Sequence, residues 1–125
     1  MHRILIVDDE PNIVLALELL MKKAGFEVHT ADDGEKALHA VHEIRPDLVL
    51  LDIMMPKMDG YEVCQRIRTD ASLKGVRIVM LTAKGREVER EKGLALGVDA
   101  YITKPFSTRE VVAKVKELLT VKPDR

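Results

Sequence analysis

A chain of 125 residues with 46% hydrophobic side chains can bury the core of one domain without disulfides or a structural metal. Its 20 basic and 21 acidic side chains give a net charge of -1, which excludes an extended nucleic-acid or anionic-membrane surface, so we expect no direct contact with either. The single cysteine, Cys64, excludes an internal disulfide and fits a reducing, cytoplasmic location. Apolar runs stay well short of the roughly 20 residues of a membrane span, and the run after Arg3 is too short for a signal peptide.

Five short apolar runs, the predicted strands, alternate with five segments of helical period. The first, third and fourth runs are nearly continuous in Val, Ile and Leu, which is typical of parallel strands covered by helices on both faces. The alternation predicts an α/β fold, a (βα)5 doubly wound five-stranded parallel sheet that forms the middle layer of a three-layer sandwich. The runs are Ile4–Val7, Glu27–Ala31, Leu48–Leu51, Val76–Leu81 and Ala100–Ile102.

The predicted helices have recognisable ends. The first opens at Pro11 and stops before Gly25. The second covers about 34–43, the third starts at Asp59, and the fifth follows a capping box that begins at Ser107. The fourth, about 86–96, has a thin apolar face and a central glycine, so we predict that it is the most movable element.

Polar side chains fall where the predicted strands end. The carboxyl ends of parallel strands meet at one edge of the sheet, which is where α/β folds bind ligands. These side chains are expected to converge there: the carboxylates of Asp8, Asp9 and Asp52, the hydroxyl of Thr82 and the ammonium of Lys104.

Three carboxylates in one place repel one another unless a cation offsets their charge. Mg2+ suits the set because it takes one or two carboxylates, keeps waters and can coordinate a phosphate oxygen. With Asp52 as nucleophile and Thr82 and Lys104 as donors to the phosphoryl oxygens, the residues are equipped for phosphoryl transfer.

Four segments of the chain carry a resemblance to a known family. In order and spacing they are similar to the signature of the receiver domain of two-component response regulators, of the chemotaxis-receiver type. The similarity implies a strand order of 2-1-3-4-5, a receiver domain over 1–120, and a tail or the start of a linker over 121–125. The segments are Ile6–Pro11, Leu50–Gly60, Leu81–Ala83 and Tyr101–Phe106.

The resemblance also implies roles for the acidic residues. Asp52 would be the phosphoacceptor, taking the phosphoryl group from a phosphohistidine of a sensor histidine kinase or a histidine phosphotransfer protein. Asp9, Asp52 and the backbone carbonyl of Met54 would bind Mg2+ directly, and Asp8 would act through water.

A second set of residues would read out the phosphorylated state. Thr82 and Lys104 would close on the phosphoryl group, and the Lys104–Pro105 peptide bond is expected to be cis. Tyr101 would follow Thr82 inward and change the face formed by the fourth helix, the fifth strand and the fifth helix. That face would control an unknown output domain or target protein, and a homodimer on phosphorylation is left open.

Such a domain would be a signalling switch and not an enzyme, since it catalyses only its own phosphorylation and dephosphorylation. The main alternative is a degenerate receiver that acts only as a protein-interaction module. A phosphatase of the haloacid-dehalogenase type is disfavoured because its nucleophile follows the first strand in an Asp-x-Asp motif. Flavin or nucleotide binding is disfavoured because an acidic loop follows the first strand where a phosphate loop is needed.

Two local features concern the lifetime of the phosphorylated state and the kind of output domain. Met54 and Lys84 lie two residues beyond Asp52 and Thr82, and an apolar side chain at Met54 orients water poorly, which favours slow hydrolysis of the phosphoryl group. Many receivers joined to winged-helix effectors carry paired aspartates before the strand-five tyrosine, but here Ala100 replaces the second. This departure makes an effector of that type less expected.

Overall fold

The computed structural model describes residues 1–55, 57–83 and 97–120. The predicted fourth helix, Lys84 and the predicted tail at 121–125 lie outside the described residues. None of the helices within the described ranges is long and apolar enough to cross a membrane. The last helix is labelled α4 here and corresponds to the fifth predicted helix. The elements are β1 (Arg3–Val7), α1 (Pro11–Lys23), β2 (Glu27–Ala31), α2 (Gly34–Ile44), β3 (Leu48–Asp52), α3 (Gly60–Arg68), β4 (Arg77–Ala83), β5 (Ala100–Lys104) and α4 (Thr108–Thr120).

The five strands form one parallel sheet in the order β2-β1-β3-β4-β5. The predicted fold class and strand order are therefore confirmed. Asp52 lies opposite Leu81 of β4, and Thr82 lies opposite Thr103 of β5. This register brings the ends of β1, β3, β4 and β5 to the same edge of the sheet.

The core lies on both faces of the sheet, as the continuous apolar strands predict. Leu5 and Val7 of β1 belong to the cluster that packs with α2 and α3. Ile4 and Ile6, which alternate with them, belong to the cluster that packs with α1 and α4. All four are fully buried. Each interior strand is therefore covered on two sides, and its polar carboxyl end faces the open edge.

Side-chain caps fix the helix starts. Asp59 Oδ1 accepts a hydrogen bond from the backbone N–H of Glu62 at 3.0 Å, so Asp59 is the N-cap of α3, which agrees with the predicted helix start at Asp59. Ser107 Oγ accepts from the N–H of Glu110 at 3.0 Å, which confirms the first half of the predicted capping box. A short 3-10 helix at Ala71–Leu73 was not predicted.

A largely buried ion-pair cluster joins α3 to the amino ends of β4 and β5. The carboxylate of Asp99 lies 2.9 Å from Arg68 and 3.7 Å from Arg77, and it also accepts a hydrogen bond from the N–H of Ile78 at 2.8 Å. The side chains of the three charged residues are at most 13% exposed. One carboxylate thus compensates two cations at the edge of the sheet opposite the acidic residues.

Replacing Asp99 by asparagine is expected to lower the free energy of unfolding by about 3 kcal/mol, because two buried guanidinium groups lose their counter-charge. Chemical denaturation followed by circular dichroism measures this value. The matched control is Glu43→Gln, which removes the exposed pair with His39 and should change stability by less than about 0.5 kcal/mol. A loss for Asp99→Asn no greater than that of the control would contradict the assigned role of the cluster.

Candidate functional site

Three carboxylates meet at the carboxyl edge of the sheet. Asp8 and Asp9 directly follow β1, and Asp52 is the last residue of the neighbouring strand β3. One carboxylate oxygen from each lies within 4.8 Å of the others. Asp8 is fully buried, Asp52 is 5% exposed, and Asp9 is open to solvent. The predicted convergence of the three acids is therefore present.

The ammonium of Lys104, the last residue of β5, reaches into this cluster. Its Nζ atom lies 3.0 Å from Asp8 Oδ2, 3.4 Å from Asp52 Oδ1 and 3.6 Å from Glu10 Oε1. Burial opposes its charge, but the hydrogen bond to Asp8 and the nearby carboxylates raise the pKa of Lys104 above its usual value. The peptide bond that follows, Lys104–Pro105, is cis. Glu10 as a further neighbour of Lys104 was not anticipated from the sequence.

The acceptor candidate, Asp52, has a perturbed acidity. Burial raises the pKa of Asp52 to about 6, and the charge of Asp8 acts in the same direction. Lys104 and the backbone N–H of Met54, 3.4 Å from Asp52 Oδ1, offset only part of this effect. The protein therefore leaves negative charge at this position incompletely compensated.

The donor set fits a divalent cation. The carboxylates of Asp8, Asp9 and Asp52 carry three negative charges when ionised, and the ammonium of Lys104 supplies one positive charge. With the exposed carboxylate of Glu10 also 3.6 Å from Lys104, negative charge exceeds positive charge at this edge, which a divalent cation would offset, and the donors are all hard oxygens. An open cleft of about 320 Å³ borders Asp8 and Asp9 and is lined on its other side by residues of α1 and by Asp32.

The remaining predicted residues lie at different depths along the sheet. Thr82 is 7% exposed and lies one position beyond Leu81, the residue paired with Asp52. Tyr101 is the second residue of β5, is half-buried and packs against the core. Met54 is 63% exposed and lies two residues beyond the end of the acceptor strand. The structure thus places Thr82 near the carboxyl edge and Tyr101 near the start of its strand, while their chemical roles stay predictions.

Comparison with known proteins identifies the family. Residues 4–116 match the model of the response regulator receiver domain. The chain belongs to this family. The stretch covers every residue of the acidic edge.

Relatives of this receiver domain occur in several kinds of signalling protein. The alkaline phosphatase synthesis transcriptional regulatory protein PhoP of Bacillus subtilis is 49% identical over 94% of this chain and 48% of its own length. The chemotaxis protein CheY4 of Vibrio cholerae is 30% identical with a TM-score of 0.89, over 94% of this chain and 98% of CheY4. The receiver domain of the sensor histidine kinase PA1611 of Pseudomonas aeruginosa is 29% identical with a TM-score of 0.88, over 96% of this chain and 98% of that domain, and was solved with a magnesium ion coordinated in its active-site cleft.

The chain spans about half the length of the curated relatives it matches. PhoP is named a transcriptional regulatory protein.

Because the negative charge at Asp52 is incompletely compensated, we expect Asp52→Asn to raise the free energy of unfolding in magnesium-free buffer. A pKa raised from 3.8 to about 6 means that ionised Asp52 destabilises the fold above about pH 6 and has no such effect below about pH 4. At pH 7.5 the free energy of unfolding should rise by about 1–2 kcal/mol, which is less than the full shift in the pKa of Asp52 corresponds to, because solvent screens part of the effect. Urea unfolding in EDTA at pH 7.5 measures it.

The control for this measurement is Asp32→Asn. A hydrogen bond and the charge of Lys36 lower the pKa of Asp32, so its ionised form stabilises the fold and its loss has the opposite sign. If Asp52→Asn lowers the free energy of unfolding at pH 7.5 as the control does, the electrostatic account of Asp52 is wrong.

Proposed function

We propose that this receiver domain is a phospho-accepting switch in which Asp52 takes a phosphoryl group with the help of Mg2+. The observation that carries the proposal is the meeting of Asp8, Asp9 and Asp52 within 4.8 Å at the sheet edge, with Lys104 beside them. These are the groups that phosphoryl transfer by positioning and electrostatic stabilisation needs. Cytoplasmic location is part of the same proposal.

The chemical step is a displacement at phosphorus. A carboxylate oxygen of Asp52 attacks, a P–O bond forms, and the P–N bond of the donor phosphohistidine breaks with its electron pair going to the imidazole. With a pKa of about 6, Asp52 is mostly ionised at neutral pH and able to attack. The donor would be a sensor histidine kinase or a histidine phosphotransfer protein.

The metal would be held by this chain's oxygen atoms. Asp9 and Asp52 supply carboxylates, Met54 supplies its backbone carbonyl, and the buried Asp8 acts through water. Bound Mg2+ neutralises excess negative charge and polarises the phosphoryl oxygens. Lys104, already 3.4 Å from Asp52, would move its ammonium onto the incoming phosphoryl oxygens.

The switch would spread from the acidic edge toward β5. Thr82 donates its hydroxyl to the phosphoryl group, and Tyr101, on the neighbouring strand, follows it inward. The face that includes β5 and α4 then changes its contacts with an output domain or target protein. The whole protein's output stays open, since the chain covers only about half of its curated relatives.

Incubation with acetyl phosphate and Mg2+ should add one phosphoryl group to the intact protein, measured by mass spectrometry. The P–O bond of the donor breaks, acetate leaves, and the gain is lost in Asp52→Asn or in EDTA. Asp9→Asn should slow the reaction by about 10-fold or more, because a metal ligand is weakened.

Asp59→Asn is the matched control, because Asp59 lies in the loop that follows Asp52 and caps α3, and asparagine caps a helix as well. Its rate should equal that of the wild type. No phosphoryl gain in the wild type would favour the degenerate receiver, and turnover of a small phosphoester by a substoichiometric amount of the protein would favour the phosphatase.

The phosphorylated protein should be long-lived, with a half-life well beyond seconds. The exposed, apolar Met54 side chain offers no hydrogen bond with which to orient an attacking water. Met54→Asn should shorten the half-life, while Met54→Leu should not, as followed by loss of phosphoprotein on Phos-tag gels. A wild-type half-life of seconds would refute this expectation.

A further inference from the structure

The loop between β3 and α3 is pressed closely against the start of α2. A Cβ atom added to Gly34, the first residue of α2, would lie 2.7 Å from the Cβ of Met58 and 2.8 Å from its carbonyl oxygen. Ordinary contacts of a Cβ atom begin near 3.4 Å. Only glycine therefore permits this approach of helix and loop.

A second glycine closes the base of the same loop. A Cβ atom added to Gly60 would lie 2.5 Å from the carbonyl oxygen of Asp52 and 2.9 Å from the Cα of Ile53. The N–H of Gly60 donates to the carbonyl of Ile53 at 2.9 Å. The first turn of α3 thus rests directly on the backbone of the acceptor residue.

The cap of α2 makes another contact with the loop. Asp33 is 8% exposed and caps α2 by accepting from the N–H of Lys36 at 2.8 Å. Its second oxygen, Oδ2, lies 3.9 Å from Nζ of Lys57. Lys57 has a φ of 68°, a left-handed conformation that is unfavourable for a residue other than glycine. Its pairing with Asp33 and the contact of the following residue, Met58, with Gly34 accompany this backbone shape.

The helix is the firmer of the two partners. Ala37 and Val41 of α2 are fully buried in the core. Met55 and Met58 of the loop are only partly buried against the same core, and Met54 is 63% exposed. Extra volume at Gly34 should therefore displace the loop and leave α2 in place.

We propose that Gly34 and Met58 are positioning residues that set the place of the loop residue Met54 and thereby the affinity of the site for Mg2+. The inference rests on the proposed function, in which the backbone carbonyl of Met54 is a ligand. Relieving a 2.7 Å contact to 3.4 Å needs a shift of about 0.7 Å, larger than the roughly 0.5 Å tolerated by a preorganised site. Mg2+ is sensitive to such a shift because it demands near-ideal octahedral geometry.

The test is a Mg2+ titration of Gly34→Ala by calorimetry, with Tm in EDTA as a separate measure of folding. The affinity should fall by about 10-fold or more, the usual effect of changing a group that supports metal ligands. Gly75→Ala is the matched control, because a Cβ atom there meets nothing within 4 Å, and it should bind Mg2+ as the wild type does. A lower Tm in EDTA with an unchanged affinity would overturn the inference.

A double-mutant cycle guards against a folding defect in Gly34→Ala. Met58→Gly leaves α2 intact and removes the Cβ and Cγ atoms that would lie 2.7 and 3.1 Å from the added Cβ, so the side-chain part of the clash is relieved. The double variant should lose less Mg2+ binding free energy than the two single variants lose when their losses are added. Strict additivity would overturn the inference.

The two proposals fail in different ways. If the wild type binds no Mg2+, the metal part of the proposed function falls and takes the positioning role with it. If the wild type binds Mg2+ and Gly34→Ala binds it equally well, only the positioning role is wrong.

Discussion

The arrangement of charge at the sheet edge is the constraint on which the rest of the molecule depends. Asp8 and Asp52 are nearly or fully buried next to each other, which electrostatics opposes unless positive charge is close. Lys104 supplies one such charge at 3.0 and 3.4 Å, but Asp9 remains as well. The fold therefore maintains a local excess of negative charge that a divalent cation would relieve.

The architecture brings these groups together through strand order. β1 and β3 are neighbours, so the acids that follow them are adjacent, although Asp8 and Asp52 are far apart in the chain. Lys104 comes from the edge strand β5 and spans the gap over β4 with its long side chain. Apolar packing on both faces of the sheet holds the strands in this register. The apolar core thus stabilises the fold, and the buried negative charge, which opposes folding, lies at one edge of the sheet.

Much of this could be predicted from the sequence because the signals are local. Continuous apolar runs such as Ile4–Val7 and Leu48–Leu51 indicate buried parallel strands, and the polar residues directly after them mark the edge. The order of the strands came from the resemblance to receivers. Periodicity alone leaves that order open.

Other features depend on contacts between distant residues and could not be read from the pattern. The pair of Arg68 and Asp99 joins elements that are 31 residues apart, and either side chain alone would suit a solvated surface. The close contact of Gly34 with Met58 is likewise invisible in sequence, where the glycine reads as an ordinary helix start.

The most direct test of the central claim is a crystal structure of the protein soaked in Mn2+, with the ion located by its anomalous scattering. The account predicts a peak bound by carboxylate oxygens of Asp9 and Asp52, with the ammonium of Lys104 still beside the acids. A protein that shows no peak there at saturating Mn2+, or a peak only at exposed acids such as Asp32, would contradict it.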